Sequence, residues 1–349
     1  MARAEEQPTT RVRNLARPLQ VIARRQNGRT PIPERRTGNR RELEHNGLRW
    51  IDIQHPTKAD VDALGEQFDF HPLVLDDVLS RVQRPKLDDY ERYIFLVTHF
   101  PRFNPREHIA MTSEVDFFLG PDYVITIHGV GRSDDLPPLL NLWTQMEESE
   151  SMRAEYMGGS AELLLYHILD RLTNYLFPMM TRIDQNIDQL DARIFHGNAS
   201  RAVRDLSNYR RDLISLRRII RPDMLVISLL ENGRASQLSE EMQPYWSDIS
   251  DHFTRVWDML TEFKEELEGL DDTFNTLYSY RTTETLRALT LISVILLPLT
   301  LISGIYGMNV RLPTIGNPED SLATFLSIIG GMVLVSVTLL AFFRRKGWW

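Results

Sequence analysis

Cysteine is missing from all 349 residues, which excludes a disulfide framework and any thiolate metal site. A G-x-x-x-x-G-K-[ST] phosphate loop is missing too, so nothing points to ATP hydrolysis as an energy source. The opening stretch MARAEEQPTTRVRN lacks the apolar core of a secretory leader. Proline is absent between Pro244 and Pro298. Charge is absent over two long stretches, Ala288 to Val310 and Ser321 to Phe343, each of 23 residues. About 20 apolar residues in an α-helix, rising about 1.5 Å each, cross the hydrocarbon of a bilayer. These runs are too long and too evenly apolar for core helices, and they predict a transmembrane hairpin, 288–310 and 321–343, joined by an external loop at 311–320.

What flanks the runs sets the orientation. Arg281 and Arg287 precede the first; Arg344, Arg345 and Lys346 follow the second, with Trp348 and Trp349 behind them. Lys and Arg stay on the cytoplasmic side and Trp favours the interface. Both termini are therefore expected in the cytoplasm, with 344–349 a basic and aromatic tail of a multi-pass protein of the cell (inner) membrane. The net charge of -8 is unevenly spread. Residues 1–49 hold 12 arginines and 5 glutamates, a net +7, which leaves -15 on the rest. Scattered prolines and arginine pairs read 1–46 as a basic, disordered tail, a solvated arm in contact with lipid at most, and no nucleic-acid partner is expected.

Between tail and membrane the pattern changes twice. Leu48 to Ile53 alternates like a strand, Tyr93 to Thr98 is rich in strand formers, and Val115–Leu119 with Tyr123–Ile127 forms a hairpin around Gly120-Pro121-Asp122. Thr57 caps a helix running to about Gln67, with Asp60 three residues on, near a capping box. Residues 47–158 thus form an α/β cytoplasmic domain, ending near Gly158-Gly159. Residues 159–287 are helical. Two long helices cover about 160–195 and 200–230, turning at His196-Gly197-Asn198, and Pro178 is expected to kink the first. A third carries apolar residues from Trp246 through Ile249, Phe253, Val256, Leu260, Phe263, Leu267, Leu270 and Phe274 to Leu277, spaced 3 and 4 alternately. That heptad seam predicts left-handed packing, mainly against the chain's own preceding helices, in a stalk that runs unbroken into the first span and is about 90 Å long.

A two-helix hairpin encloses no path, so conduction requires a closed ring of copies. Thr290, Ser293, Thr300 and Ser303 put neutral oxygens along the first span, where they either line a pore without buried charge or bond to their own backbone. At its outer end stand Tyr306-Gly307-Met308-Asn309. Gly-Met-Asn there, with Pro298-Leu299-Thr300-Leu301-Ile302-Ser303-Gly304-Ile305, His71-Pro72-Leu73-Val74-Leu75-Asp76-Asp77 and Arg84-Pro85-Lys86-Leu87-Asp88-Asp89-Tyr90, resembles the CorA family of divalent-cation transport proteins over roughly residues 47–349.

The resemblance implies a funnel-shaped homo-oligomer, a pentamer, and passive Mg²⁺ uptake with Co²⁺ or Ni²⁺ as further cargo. It makes Gly307, Met308 and Asn309 the selectivity filter. Mg²⁺ gives up water reluctantly, and a ring of Asn carbonyls accepts hydrogen bonds from its hydration shell. It also makes Thr283, Leu286, Leu289, Ser293, Leu297, Thr300 and Gly304 the pore face, with Thr283 standing where the family has Asn. Cytoplasmic Mg²⁺ is expected to close the pore by binding between subunits at Asp248, with Asp251 second and Asn104 in the position of the usual acidic partner. Mg²⁺ is thus both cargo and regulator; no cofactor is expected, and no enzymatic activity, since Asp76 and Asp77 point to different sides of their element. The acidic run Glu262, Glu265-Glu266, Glu268 and Asp271-Asp272 reads first as the exposed face of an amphipathic helix, with electrostatic gathering of cations as the alternative. Two alternatives remain: a Zn²⁺ transporter resembling the ZntB branch, and a membrane-anchored coiled-coil scaffold that conducts nothing.

Overall fold

The computed structural model describes residues 39–80, 83–104, 109–129, 136–196, 199–308 and 321–348. In chain order they form β1 (Asn39–His45), β2 (Leu48–Gln54), α1 (Lys58–Phe68), α2 (Pro72–Leu79), β3 (Lys86–Tyr90), β4 (Tyr93–Asn104), β5 (Ile109–Leu119), β6 (Tyr123–His128), α3 (Pro137–Glu148), α4 (Glu150–Met157), α5 (Ala161–Asn174), α6 (Leu176–His196), α7 (Ala199–Glu231), α8 (Gln243–Tyr306) and α9 (Ser321–Arg345). The strands make one sheet in the order β1-β2-β6-β5-β4-β3. Only β2 and β6 pair in parallel, Ile51 opposite Ile125; the expected β5–β6 hairpin pairs antiparallel, Phe118 opposite Ile125.

Both faces of the sheet are covered. Ile51, Ile53, Phe95, Phe118 and Ile125 point to one side and pack on Val61 and Leu64 of α1 and Val74 and Val78 of α2. Trp50, Leu96, Phe117 and Val124 point to the other and join a core that continues through α3, α5, α6 and α7 to Leu270 of α8. This second core is shared by the α/β part and the helical part, with no break at Gly158.

One boundary is corrected. Disorder was expected to residue 46, yet 39–45 form β1, paired with β2 in the register Arg41 opposite Asp52. Asn46 and Gly47 both take positive φ, 51° and 84°, the conformation of a type I′ hairpin turn that Asn-Gly favours. Leu43 alone among β1's residues joins the core, so this edge strand has the polar composition of a tail. Residues 1–38 lie outside the described residues, as do Gly197, Asn198 and the loop at 311–320.

Thr57 caps α1 as expected, and Asp60 returns the bond to the Thr57 N–H at 2.9 Å, closing the capping box. The break expected from Pro178 falls one turn earlier, between Asn174 and Leu176, because the proline cannot donate to the carbonyl four residues back. Pro222 has the same defect, and α7 runs through it. α8 is one helix of 64 residues, about 95 Å long at 1.5 Å per residue. Its seam from Trp246 to Leu270 is buried, with Phe274 and Leu277 half-buried, against the chain's own helices. Among the described residues, two helices are long and apolar enough to cross a membrane: the one ending at Tyr306, and Leu322–Arg345. Neither apolar stretch is buried in the single chain.

Candidate functional site

On the membrane-length part of α8 the turn of about 100° per residue sorts side chains by face. Leu291, Ile295, Pro298, Leu299 and Ile302 are half-buried, and Ile302 and Tyr306 meet Thr324, Ile328 and Met332 of α9 across a small cavity. The predicted pore positions Thr283, Leu286, Leu289, Ser293, Leu297, Thr300 and Gly304 fall on the opposite face, within an arc of about 120°. All of them are exposed. The hairpin therefore leaves this stripe uncovered.

The hydroxyls on α8 also bond to their own helix. Thr283 donates to the Ser279 carbonyl at 2.9 Å, Thr290 to Leu286 at 2.8 Å, Ser293 to Leu289 at 2.9 Å and Thr300 to Leu296 at 2.9 Å. Each oxygen keeps a lone pair free to accept from water. The helix ends at the tripeptide. Gly307 follows its last residue, and its N–H donates to Ser303 at 2.8 Å. Met308 is 57% exposed. Asn309 lies outside the described residues.

Of the three predicted regulatory residues, the structure brings Asp248 into a cluster and leaves Asp251 exposed outside it. The side chain of Asn104 lies outside the described residues, though its backbone ends β4. The partners of Asp248 are His252, one turn on along α8, and Asp170 on α5. One ligand atom from each lies within 4.8 Å of the others. His252 presents Nδ1 to Asp170 at 3.7 Å and Nε2 to Asp248 at 3.8 Å, and Nδ1 is buried without a hydrogen-bond partner. Tyr166 donates its hydroxyl to Asp248 Oδ2 at 3.0 Å, and Asn174 donates to Asp170 Oδ1 at 2.7 Å. Phe177 stands edge-on to the imidazole at 5.6 Å. Burial pushes the Asp170 carboxyl above its ordinary range; the Asp248 charge adds to that, while His252, Asn174 and His167 pull the other way. A cation between these groups would relieve that cost. Two carboxylates and one imidazole fit a divalent ion, with Mg²⁺ retaining waters and the nitrogen favouring Co²⁺, Ni²⁺ or Zn²⁺. The sequence reading named Asp248 without His252, which its i, i+4 spacing could have added; Asp170 comes from another helix.

The acidic run on α8 divides. Lys264 pairs with Glu268 at 2.9 Å and Arg210 with Asp271 at 3.3 Å, as on any solvated face. Glu266 differs. Burial first, then Asp188, Asp184, Glu262 and Asp191, push its carboxyl up, so α6 and α8 join in a strip of one sign.

Known proteins resemble this arrangement along most of its length. The cobalt/magnesium transport protein CorA of Thermotoga maritima is 29% identical over 301 residues, 86% of this chain and 83% of that protein. The solved CorA magnesium transporter of Methanocaldococcus jannaschii superposes with a TM-score of 0.75 at 20% identity, over 88% of this chain and 93% of that one. The ZntB cytoplasmic domain of Vibrio parahaemolyticus superposes with a TM-score of 0.54 at 15% identity, over 67% and 88% respectively, a likeness of fold. Residues 45–345 match the family described as CorA-like Mg2+ transporter protein, and the chain belongs to that family.

Proposed function

We propose that the chain forms a homo-oligomeric ring, a pentamer, that passes divalent cations through the inner membrane. Mg²⁺ is its principal cargo, Co²⁺ and Ni²⁺ are further cargo, and both termini face the cytoplasm. The observation that carries this reading is the uncovered stripe of α8, opposite the α9 contact, ending at Gly307 and Met308. In a ring, one such stripe per subunit faces the axis. Thr283, Ser293 and Thr300 offer oxygens to a hydrated ion, and Leu286, Leu289 and Leu297 narrow the path where dewetting can close it. Asn309 completes the filter by accepting hydrogen bonds from the ion's water. The ion moves down its electrochemical gradient, which supplies about 2.3 kcal/mol per charge per 100 mV, twice that for a divalent ion.

The cluster of Asp170, Asp248 and His252 is the regulatory site. An ion there neutralises two carboxylates at the junction of α5 and α8, holding the stalk in the closed arrangement; its loss releases the stalk. A second reading makes Zn²⁺ the cargo; the imidazole bears on the regulatory ion, and neither uncharged run holds the His or Cys that zinc prefers. One assay separates the two: cation entry into proteoliposomes holding a Mg²⁺ dye, with Zn²⁺ and a pH dye in parallel. Mg²⁺ entry that collapses in Asn309→Ala supports the Mg²⁺ channel. Zn²⁺ entry with proton movement and little Mg²⁺ flux supports the second reading. Oligomers that pass neither ion are a scaffold.

A further inference from the structure

Four arginines of α7 fall into two groups. Those turned to α8 are engaged: Arg217 donates to the Leu260 carbonyl and the Thr261 hydroxyl and stacks on Trp257 at 4.2 Å, and Arg210 pairs with Asp271. Arg218 and Arg221, three apart and so on one side of the helix, turn instead to a cleft of about 990 Å³ between α7 and the β3–β5 end of the sheet. Arg84 and Lys86 line the same cleft from the β3 side. Among the described residues Arg84, Arg218 and Arg221 make no ion pair, hydrogen bond or ring contact. This concentration of positive charge sits in the part of the chain that is otherwise net negative.

The nearby carboxylates are engaged elsewhere and pair with none of the three arginines. Asp77 and Asp88 both bind Lys86, at 2.7 and 2.6 Å. Glu114 accepts from the Gln83 N–H at 2.6 Å, and Asp223 from the His99 N–H at 3.0 Å. His99 also lines the cleft. It is 8% exposed, and its Nε2 is buried without a hydrogen bond, 3.4 Å from Glu114. Ser215 and Thr112 add hydroxyls, and Leu225, 68% exposed, offers an apolar wall.

We propose that this cleft binds a soluble nucleoside polyphosphate. Guanidinium groups match phosphate oxygens in two-point contacts, hydroxyls and a buried imidazole supply short-range polar contacts, and an apolar wall suits a base. The volume is that of a small-molecule site. A lipid headgroup is out of reach. Arg217, beside Arg218, contacts Leu260, and Leu260 precedes the uncharged run at Ala288 by 28 residues of continuous helix, about 42 Å. The membrane's surface potential falls off within a Debye length of about 8 Å. The bound anion would bridge the sheet to α7, the helix packed along the stalk, so occupancy is linked to the position of α8.

The test is calorimetric titration of the purified full-length oligomer in detergent with ATP, without an ion gradient, so it reads binding whether or not the protein conducts. ATP is expected to bind and adenosine not, and Arg218→Glu with Arg221→Glu to weaken ATP at least tenfold. Arg218→Gln with Arg221→Gln, which removes charge without reversing it, is expected to weaken it in the same direction with melting and oligomer size unchanged. Absence of ATP binding, equal binding of adenosine, or unaltered affinity in the neutral variant overturns the proposal. So does dissociation of the oligomer by the neutral variant with ATP affinity retained, which would make the cleft a contact between copies.

Discussion

Two buried aspartates in the same sheet titrate in opposite directions, and each makes a prediction of opposite sign. Burial raises the carboxyl of Asp52, but the imidazole of His128 at 3.2 Å and hydrogen bonds from Thr126 and Arg41 outweigh it and leave the group below its ordinary value. Its contribution to stability is present above the unfolded pKa and lost as pH falls through the lower folded one. Asp116 has no such partners. Both its oxygens are buried without a hydrogen bond, and burial and then Glu114 push it well above the ordinary value. Between the unfolded and folded pKa the native state binds the extra proton, so stability falls as pH rises, by up to about 1.4 kcal/mol per pH unit. Thermal unfolding of the wild type and Asp116→Asn from pH 5 to 8 should show the variant gaining on the wild type as pH rises. A gap that is constant with pH would show that Asp116 does not titrate there. At the cluster of Asp170, Asp248 and His252, Asp248→Asn should weaken Mg²⁺ and Co²⁺ binding alike. His252→Ala should leave Mg²⁺ nearly untouched and weaken Co²⁺ by about 10-fold, since the nitrogen serves the softer ion. Competition titrations against a metal indicator read both. The sequence pointed to Asp248 and missed Asp170, because 78 residues and two intervening helices separate them.

Among the elements, those with a strong local period were legible. The 3–4 spacing from Trp246 to Leu270 predicted a buried seam, and every one of those residues is buried. Phe253→Ala in its middle removes a side chain packed towards Phe100 at 6.4 Å, and should cost about 3–5 kcal/mol, measurable as loss of stability of the oligomer to heat or protease. Thr57→Ala, which opens the capping box of α1, should cost about 1 kcal/mol; circular dichroism melts compare the two. Elements without a period were not legible. β1 hides in a basic stretch because an edge strand needs little apolar surface, and its Asn46-Gly47 turn was the one local sign. The break before Pro178 and the continuity through Pro222 separate for a reason sequence does not carry. Ile219, Ile220, Val226 and Ile227 anchor α7 in the core on both sides of its proline, and tertiary packing overrides the lost backbone bond.

For the whole molecule, the hairpin is incomplete alone. The uncharged part of α8 meets α9 along one face and leaves the rest bare, and the bare part includes the stripe that sequence resemblance assigns to a pore. An assembly that buries this stripe about an axis brings identical positions from neighbouring copies close together. An assembly that turns it to lipid keeps them apart. The absence of cysteine makes the test direct, because any introduced thiol is the only one in its subunit. Ser293→Cys and Thr300→Cys, oxidised in the membrane, should yield disulfide-linked dimers. Leu334→Cys, exposed on α9, should stay monomeric on a denaturing gel. Reduction should return all three to monomers. If Leu334→Cys cross-links and the two α8 positions do not, α9 rather than α8 lines the axis, and the assignment of Thr283 through Gly304 to the ion path fails with it.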